Sequence, residues 1–340
     1  MLGLLSDLPV KNCWTLSEQI GDATPDGMQH LLRKAVWDHD GVRDDLRDYV
    51  VEHLGDARAV LVVDETGDLK KGTRTVGVQR QYTGTAGRIE NSQVAVYLTY
   101  ATDAGQALID RALYLPKSWA EDPDRRADAE VPDDVEFATK PALAREMIVH
   151  ALDGGAPAPW VAGDEVYGAD PTLRKELENR GVGYVLAVAC SHPIATTAGK
   201  RRADELGASL PKHVWQRASA GRGSKGPRFY DWAWITLNSD IERPGQRWLL
   251  IRRNNSTGEL AYYRCYAPWP VPLRELVQVT GRRWTVAESF QASKGLAGST
   301  STRSAAGPPG SAGPSWPCSP TPCSPCTPPP NAPTIRRQTG

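Results

Sequence analysis

The 340-residue sequence predicts an α/β protein: a sheet-based core, a small helical region before it and a β-rich stretch late in the chain. Three observations predict this. Ala59-Val60-Leu61-Val62-Val63-Asp64 is a continuous apolar, β-branched run of the kind that fills a strand buried on both faces, and it ends in an acid. Trp160-Val161-Ala162-Gly163-Asp164 repeats the arrangement further on. A helical pattern and another short apolar run follow the second acid, which gives a βαβ-like alternation.

The elements follow in order. Residues 1–57 read as helical, with Trp14, Leu16 and Ile20, then Met28, Leu31, Leu32, Ala35 and Trp37, spaced for buried faces. Thr24-Pro25-Asp26-Gly27 separates the two segments, and Thr24 or Asp26 is expected to cap the second. Such a pair suits either a helix-turn-helix offering Gln29, His30, Arg33 and Lys34 to DNA, or a helical subdomain packed on the core. Residues 58–189 form the first part of the core. Its expected strands after the first are Thr75 to Tyr82, Gln93 to Tyr100 and Leu108 to Leu115, a meander out of the buried run. Ala120 to Asp134 is a charged surface excursion, Pro141 to Leu152 and Pro171 to Arg180 are helices, and Tyr184 to Val188 is a strand. Residues 190–270, with Phe229 to Leu237 and Trp248 to Arg252, read as an inserted β subdomain. Helical character returns near Leu273 and again from Arg282 to Leu296, within a 271–298 segment that rejoins the core. Residues 299–340, rich in Ser, Pro, Gly, Thr and Cys, bury too little apolar surface to offset their ordering entropy and are expected to be disordered.

Composition narrows the function. Forty basic residues balance forty acidic ones, so no overall field attracts phosphate, and local clusters must carry any contact with nucleic acid. The opening residues lack a charged leader, and no apolar run approaches the ~20 residues of a membrane span. A cytoplasmic protein, with no membrane partner, is expected. The cysteines follow no disulfide framework. Cys323-x-x-Cys326 has neither a second pair nor a nearby His and sits among prolines, which favours a disordered tail over a zinc site.

Two acids at the ends of apolar strands and a third on a later helix can converge at one edge of a sheet. Three carboxylates without Cys or His favour a hard cation, magnesium or manganese, and two such ions ~4 Å apart serve phosphodiester chemistry. The alternative is that such acids are helix caps or solvated turn residues. Other catalytic signatures fail. Gly67 and Gly72 have the spacing of P-loop glycines, but Thr73-Arg74 follows where Lys and then Ser or Thr are required. No Gly-x-Ser-x-Gly elbow presents a serine nucleophile.

The local sequences go further. Val63-Asp64-Glu65-Thr66-Gly67 with Lys70-Lys71-Gly72, then Gly163-Asp164-Glu165-Val166-Tyr167-Gly168, then Arg282-Arg283-Trp284 before Glu288, Phe290 and Lys294, resemble the DDE transposases of bacterial insertion sequences over residues from about 1 to 298. The second block fits the family's Asp-x-x-Tyr-Gly pattern. The resemblance implies a ribonuclease-H-like core with a β-rich insertion between the second Asp and the Glu, and cleavage and strand transfer at transposon ends. Asp64, Asp164 and Glu288 would hold two magnesium or manganese ions. Arg283 and Lys294 would neutralise phosphate, with Lys70 and Lys71 as weaker contacts. The implied partners are the terminal inverted repeats and the target, both double-stranded DNA, bound by a homodimer at the nucleoid. In the β-rich stretch Arg222 and Lys225 lie close to Trp232, a mixture that suits a gripped backbone and a stacked base, although alternation of aromatics at 230, 232 and 234 more often marks a buried strand face.

One departure concerns the third acid. The family's Arg-x3-Glu-x6-Lys spacing, anchored on Arg283 and Lys294, places it at Ala287, so either Glu288 substitutes from about 100° around the helix or that ligand is gone. The tail is a second departure. Codons compatible with Ser299 to Gly310, displaced by one base, spell Leu-Asp-Glu-His-Gln-Val-Arg-Arg-Trp-Thr-Ser-Trp, which resembles the family helix expected there. The same shift turns Trp316 to Pro322 into an apolar helical stretch. The expectation is therefore a transposase frameshifted after about Gly298 and shortened at its start, inactive as written; the alternative is a non-catalytic DNA-binding remnant that competes for transposon ends.

Overall fold

A computed structural model describes residues 6–8, 10–196, 199–223, 226–237 and 244–296. The expected tail, like Lys225, lies outside them.

Three helices come first: α1 (Cys13–Ile20), α2 (Asp26–Arg33) and α3 (His39–Leu54). Asn12 and Thr15 form a capping box on α1, and Gly21 ends it at φ 86, a conformation glycine adopts without steric cost. The expected cap on α2 is not formed. Pro25 occupies the cap position, and the Thr24 hydroxyl donates to the Asp26 carboxylate (3.0 Å) instead of accepting from the helix. The predicted apolar faces are also largely uncovered: Leu16 is buried, but Trp14 and Leu31 are more than half exposed and Ile20 and Trp37 nearly so. α1 and α2 pack on each other.

The sheet begins with β1 (Val60–Leu69), β2 (Gln79–Thr83), β3 (Arg88–Ala101) and β4 (Gln106–Leu113). β1 runs five residues past Asp64, because β3 pairs with it antiparallel along its whole length. β2 starts later than the apolar pattern suggests, since the Val78 N–H closes a turn onto Thr75 and its carbonyl accepts from the Trp119 indole (2.8 Å). The surface excursion contains α4 (Lys117–Ala120) and α5 (Pro123–Asp128). Then follow α6 (Lys140–Asp153), β5 (Trp160–Gly163), α7 (Glu165–Gly168), α8 (Pro171–Asn179) and β6 (Gly183–Val188).

The β-rich stretch holds a small hairpin, β7 (Pro193–Thr196) and β8 (Gly199–Arg202), the short helix α9 (Ala203–Ala208), and β9 (Gln216–Gly223), β10 (Gly226–Leu237), β11 (Gln246–Arg253) and β12 (Leu260–Ala267). These last four strands do not form a sheet of their own. β12 pairs antiparallel with β6, so a single ten-stranded sheet runs in the order β2-β3-β1-β5-β6-β12-β11-β10-β9, with β4 on β3. The reason is the open edge of β6, whose unpaired backbone groups β12 satisfies.

Alternation along β1 divides the core. Leu61 and Val63 face the layer containing Ile148 of α6 and Leu173 and Leu177 of α8, while Val60 and Val62 face the layer containing Trp232, Trp248 and the final helix, α10 (Leu273–Leu296). α10 is one helix of 24 residues where the sequence suggested two helical stretches. Gly281 sits in its middle because a Cβ there would lie 1.9 Å from the Ala220 carbonyl oxygen of β9. This contact sets the depth of α10 on the sheet. Gly281→Ala should therefore lower stability by about 2 kcal/mol despite alanine's better helix propensity, as read by urea denaturation.

Candidate metal centre

The site lies where β1 and β5 part. Their parallel pairing ends at Val62 and Ala162, so Asp64 keeps only β3 as a backbone neighbour, while the chain after Gly163 turns into α7. The Asp164 carboxylate accepts from the Val166 N–H (2.8 Å) and thereby caps that helix. The Asp64 carboxylate accepts from the Glu65 N–H (2.8 Å). One oxygen each from Asp64, Glu65 and Asp164 then falls within 4.8 Å of the others.

Bringing three carboxyls together at a partly buried edge has an electrostatic cost. Burial pushes Asp64 up to about 6, with the negative charges of Asp164 and Glu65 adding and Arg283 opposing. Burial, then the charge of Glu65, raises Asp164 as well. Glu65 is the neutralised member: Lys140 Nζ donates to one oxygen (2.8 Å) and the Tyr167 hydroxyl to the other (2.5 Å). Burial, reinforced by Glu65, holds the Tyr167 phenol well above its ordinary range, so it remains a donor. Arg283 of α10 approaches Asp164 at 3.9 Å and brings that helix to the site. Tyr167→Phe removes a donor from a partly buried carboxylate and should cost about 1–3 kcal/mol in urea denaturation.

Asp64 and Asp164 thus meet as the sequence reading expected. Asp64, however, is not the last residue of its strand; it marks where β1 loses β5. Glu288 lies on α10 five residues after Arg283, and Lys294 lies on the same helix; the described side chains include neither. Lys70 and Lys71 follow the end of β1, about 20 Å from Asp64 at the rise of a strand, and Lys70 pairs with Asp68 (4.0 Å). Arg222 is exposed at the far end of the β9–β10 hairpin. Trp232 must be corrected: it is fully buried, its indole donating to the Ala218 carbonyl (3.2 Å), and it presents no face to a base. It points inward because the alternation that made 230, 232 and 234 suspect faces α10.

Glu65, Lys140 and Tyr167 escaped the sequence reading. Glu65 adjoins Asp64 and Tyr167 belongs to the Asp-x-x-Tyr-Gly block, so both signals were present. Lys140 carried none, lying 75 residues from the acid it neutralises.

Fold and site together define a mixed α/β protein with an acidic cluster suited to a hard divalent cation. The sequence matches the DDE superfamily endonuclease family over residues 1–212, and the chain belongs to that family. It is also 27% identical over 193 residues to the probable transposase for insertion sequence element IS701 of Microchaete diplosiphon, a match covering 56% of this chain and 48% of that protein. The chain thus spans about half the length of this relative. Among the described residues no helix is long and apolar enough to cross a membrane.

Proposed function

We propose that this chain is an insertion-sequence transposase whose acidic cluster cuts DNA at terminal inverted repeats and joins the freed 3′ end to target DNA, as a homodimer. The observation that carries the reading is the convergence of Asp64 and Asp164, both held above the ordinary carboxylate range, beside the Arg283 guanidinium. A donor set of oxygens alone, carrying more negative charge than its surroundings neutralise, fits magnesium or manganese. Asp64, Asp164 and Glu288 are the proposed holders. Magnesium or manganese bound there supplies Lewis acidity for activating the nucleophile and stabilising the leaving oxygen. Lys140 and Tyr167 occupy both oxygens of Glu65 and hold it in place, so that Asp64 and Asp164 remain the acids that a cation relieves. Arg283 and Lys294 offer positive charge to the phosphate. The antiparallel strands β4, β3 and β1 followed by the parallel pair β5 and β6 support a ribonuclease-H-like core.

The test is nicking of a duplex carrying the element's terminal repeat, with and without magnesium, beside a duplex of scrambled sequence. Magnesium-dependent cutting confined to the repeat is the expected result. Equal cutting of both duplexes would indicate a metal nuclease of another kind, and binding without cutting would indicate a DNA-binding remnant.

A further inference from the structure

A second polar cluster stands level with Gly163 in the sheet, on the face that α8 covers. Gly163 pairs with Leu186 and Leu186 with Arg264, so these three residues form one row across β5, β6 and β12. Two strand spacings separate Arg264 from Gly163, the residue that leads into Asp164, a distance of about 10 Å. Along β12, Arg264 falls between Tyr266, packed in the layer with Leu173 and Leu177, and Tyr262, packed with Ile194 and Leu206. Arg174 of α8 lies close by and donates to the Gly168 carbonyl. His192, from the loop after β6, joins them. Burial, then the charges of Arg264 and Arg174, lowers His192 to about 4; burial and Arg264 lower Arg174.

The neighbouring acids are already engaged. Glu178 accepts from the Tyr184 hydroxyl (2.8 Å) and from Arg247 (2.7 Å) in a buried ion pair, and Asp170 accepts from the Leu173 N–H as the cap of α8. Among the described residues no side chain pairs with the Arg264 guanidinium, and the His192 Nε2 atom is buried with no hydrogen-bond partner. Half-buried cations facing one another, with an unsatisfied ring nitrogen beside them, are costly unless an anion joins them.

We propose that Arg264, Arg174 and His192 form an anion site that takes a backbone phosphate of the DNA being cut, close along the strand to the phosphodiester at the carboxylates. Arg264 supplies a planar fork for two phosphate oxygens, and the neutral imidazole donates a third hydrogen bond. The identity of the phosphate rests on the DNA-cutting reading above; anion binding by these three residues does not.

The test uses the full chain without divalent metal, as wild type, Arg264→Gln, Arg264→Lys and Asp164→Asn. Inorganic phosphate is titrated by calorimetry, and a 30-base-pair duplex is then tested as a competitor. Arg264→Gln should weaken phosphate binding about tenfold, Arg264→Lys should recover part of it, and Asp164→Asn should not weaken it. The duplex should displace phosphate from the wild type, and Arg264→Gln should reduce the salt dependence of duplex binding by about one charge. Equal phosphate affinity in wild type and both Arg264 variants would overturn the site. Phosphate binding that the duplex fails to displace would overturn its assignment to DNA. Failure of the cutting reading shows separately, as a wild type that does not nick with magnesium.

Discussion

Asp164→Asn should abolish magnesium-dependent nicking, with a loss of more than about 10³-fold, while the protein stays folded. Asparagine is the informative substitution because Asp164 has two tasks. Its carboxylate caps α7 through the Val166 N–H, a role Asn fills nearly as well, and its charge faces Asp64, Glu65 and Arg283, a role Asn cannot fill. Removing an outer partner of a metal ligand typically costs 10- to 100-fold, so loss of a ligand itself should exceed that range. Circular dichroism and manganese titration of the same variant separate loss of the cation from loss of fold. Activity within tenfold of wild type would remove Asp164 from the ligand set.

The same assay orders the two candidates for the third acid. Glu65 is within reach of Asp64 and Asp164, yet both of its oxygens are occupied, by Lys140 and by Tyr167. That arrangement is one of positioning. Glu65→Gln should therefore cost about 10- to 100-fold, and Glu288→Gln as much as Asp164→Asn. The reverse order would make Glu65 the third ligand and would explain how the chain tolerates alanine at position 287.

How much of this was legible depended on distance along the chain. The buried runs ending at Val63 and Gly163 announced their strands, because a strand covered on both faces has no polar position to spare. The helices α6 and α8 followed from their apolar stripes. The attachment of β12 to β6 did not follow, since alternation in a strand says that one face is covered and nothing about which edge it joins. For the same reason Trp232 was read as a DNA contact although its place in an alternating run favoured burial. Thr24 shows a smaller version of the problem: a capping residue was present, but a neighbouring carboxylate took its hydroxyl. Lys140 marks the limit, because neutralisation of Glu65 depends on where α6 begins in space.

Asp64→Asn should make the metal-free protein more stable at neutral pH, by up to about 3 kcal/mol. The carboxyl titrates at about 6 in the folded protein against 3.8 in the unfolded chain, a gap of about two units at about 1.4 kcal/mol each. Because the folded value is the higher one, the folded state binds this proton more tightly. Its stabilising contribution is complete below pH 3.8, declines as pH rises toward 6, and is absent above that. Wild type thus carries the full cost of a buried, repelled carboxylate at pH 7, whereas the neutral amide does not, and an amide oxygen can still accept from the Glu65 N–H. The difference in urea midpoints between the two proteins should be large at pH 7 to 8 and vanish near pH 4. Magnesium should narrow it from the other side, since a cation that binds only the folded wild type stabilises it by mass action and leaves the variant unchanged. A variant less stable than wild type at pH 7 without metal would mean that Arg283 already neutralises Asp64. The charge excess from which a divalent cation is inferred would then not exist.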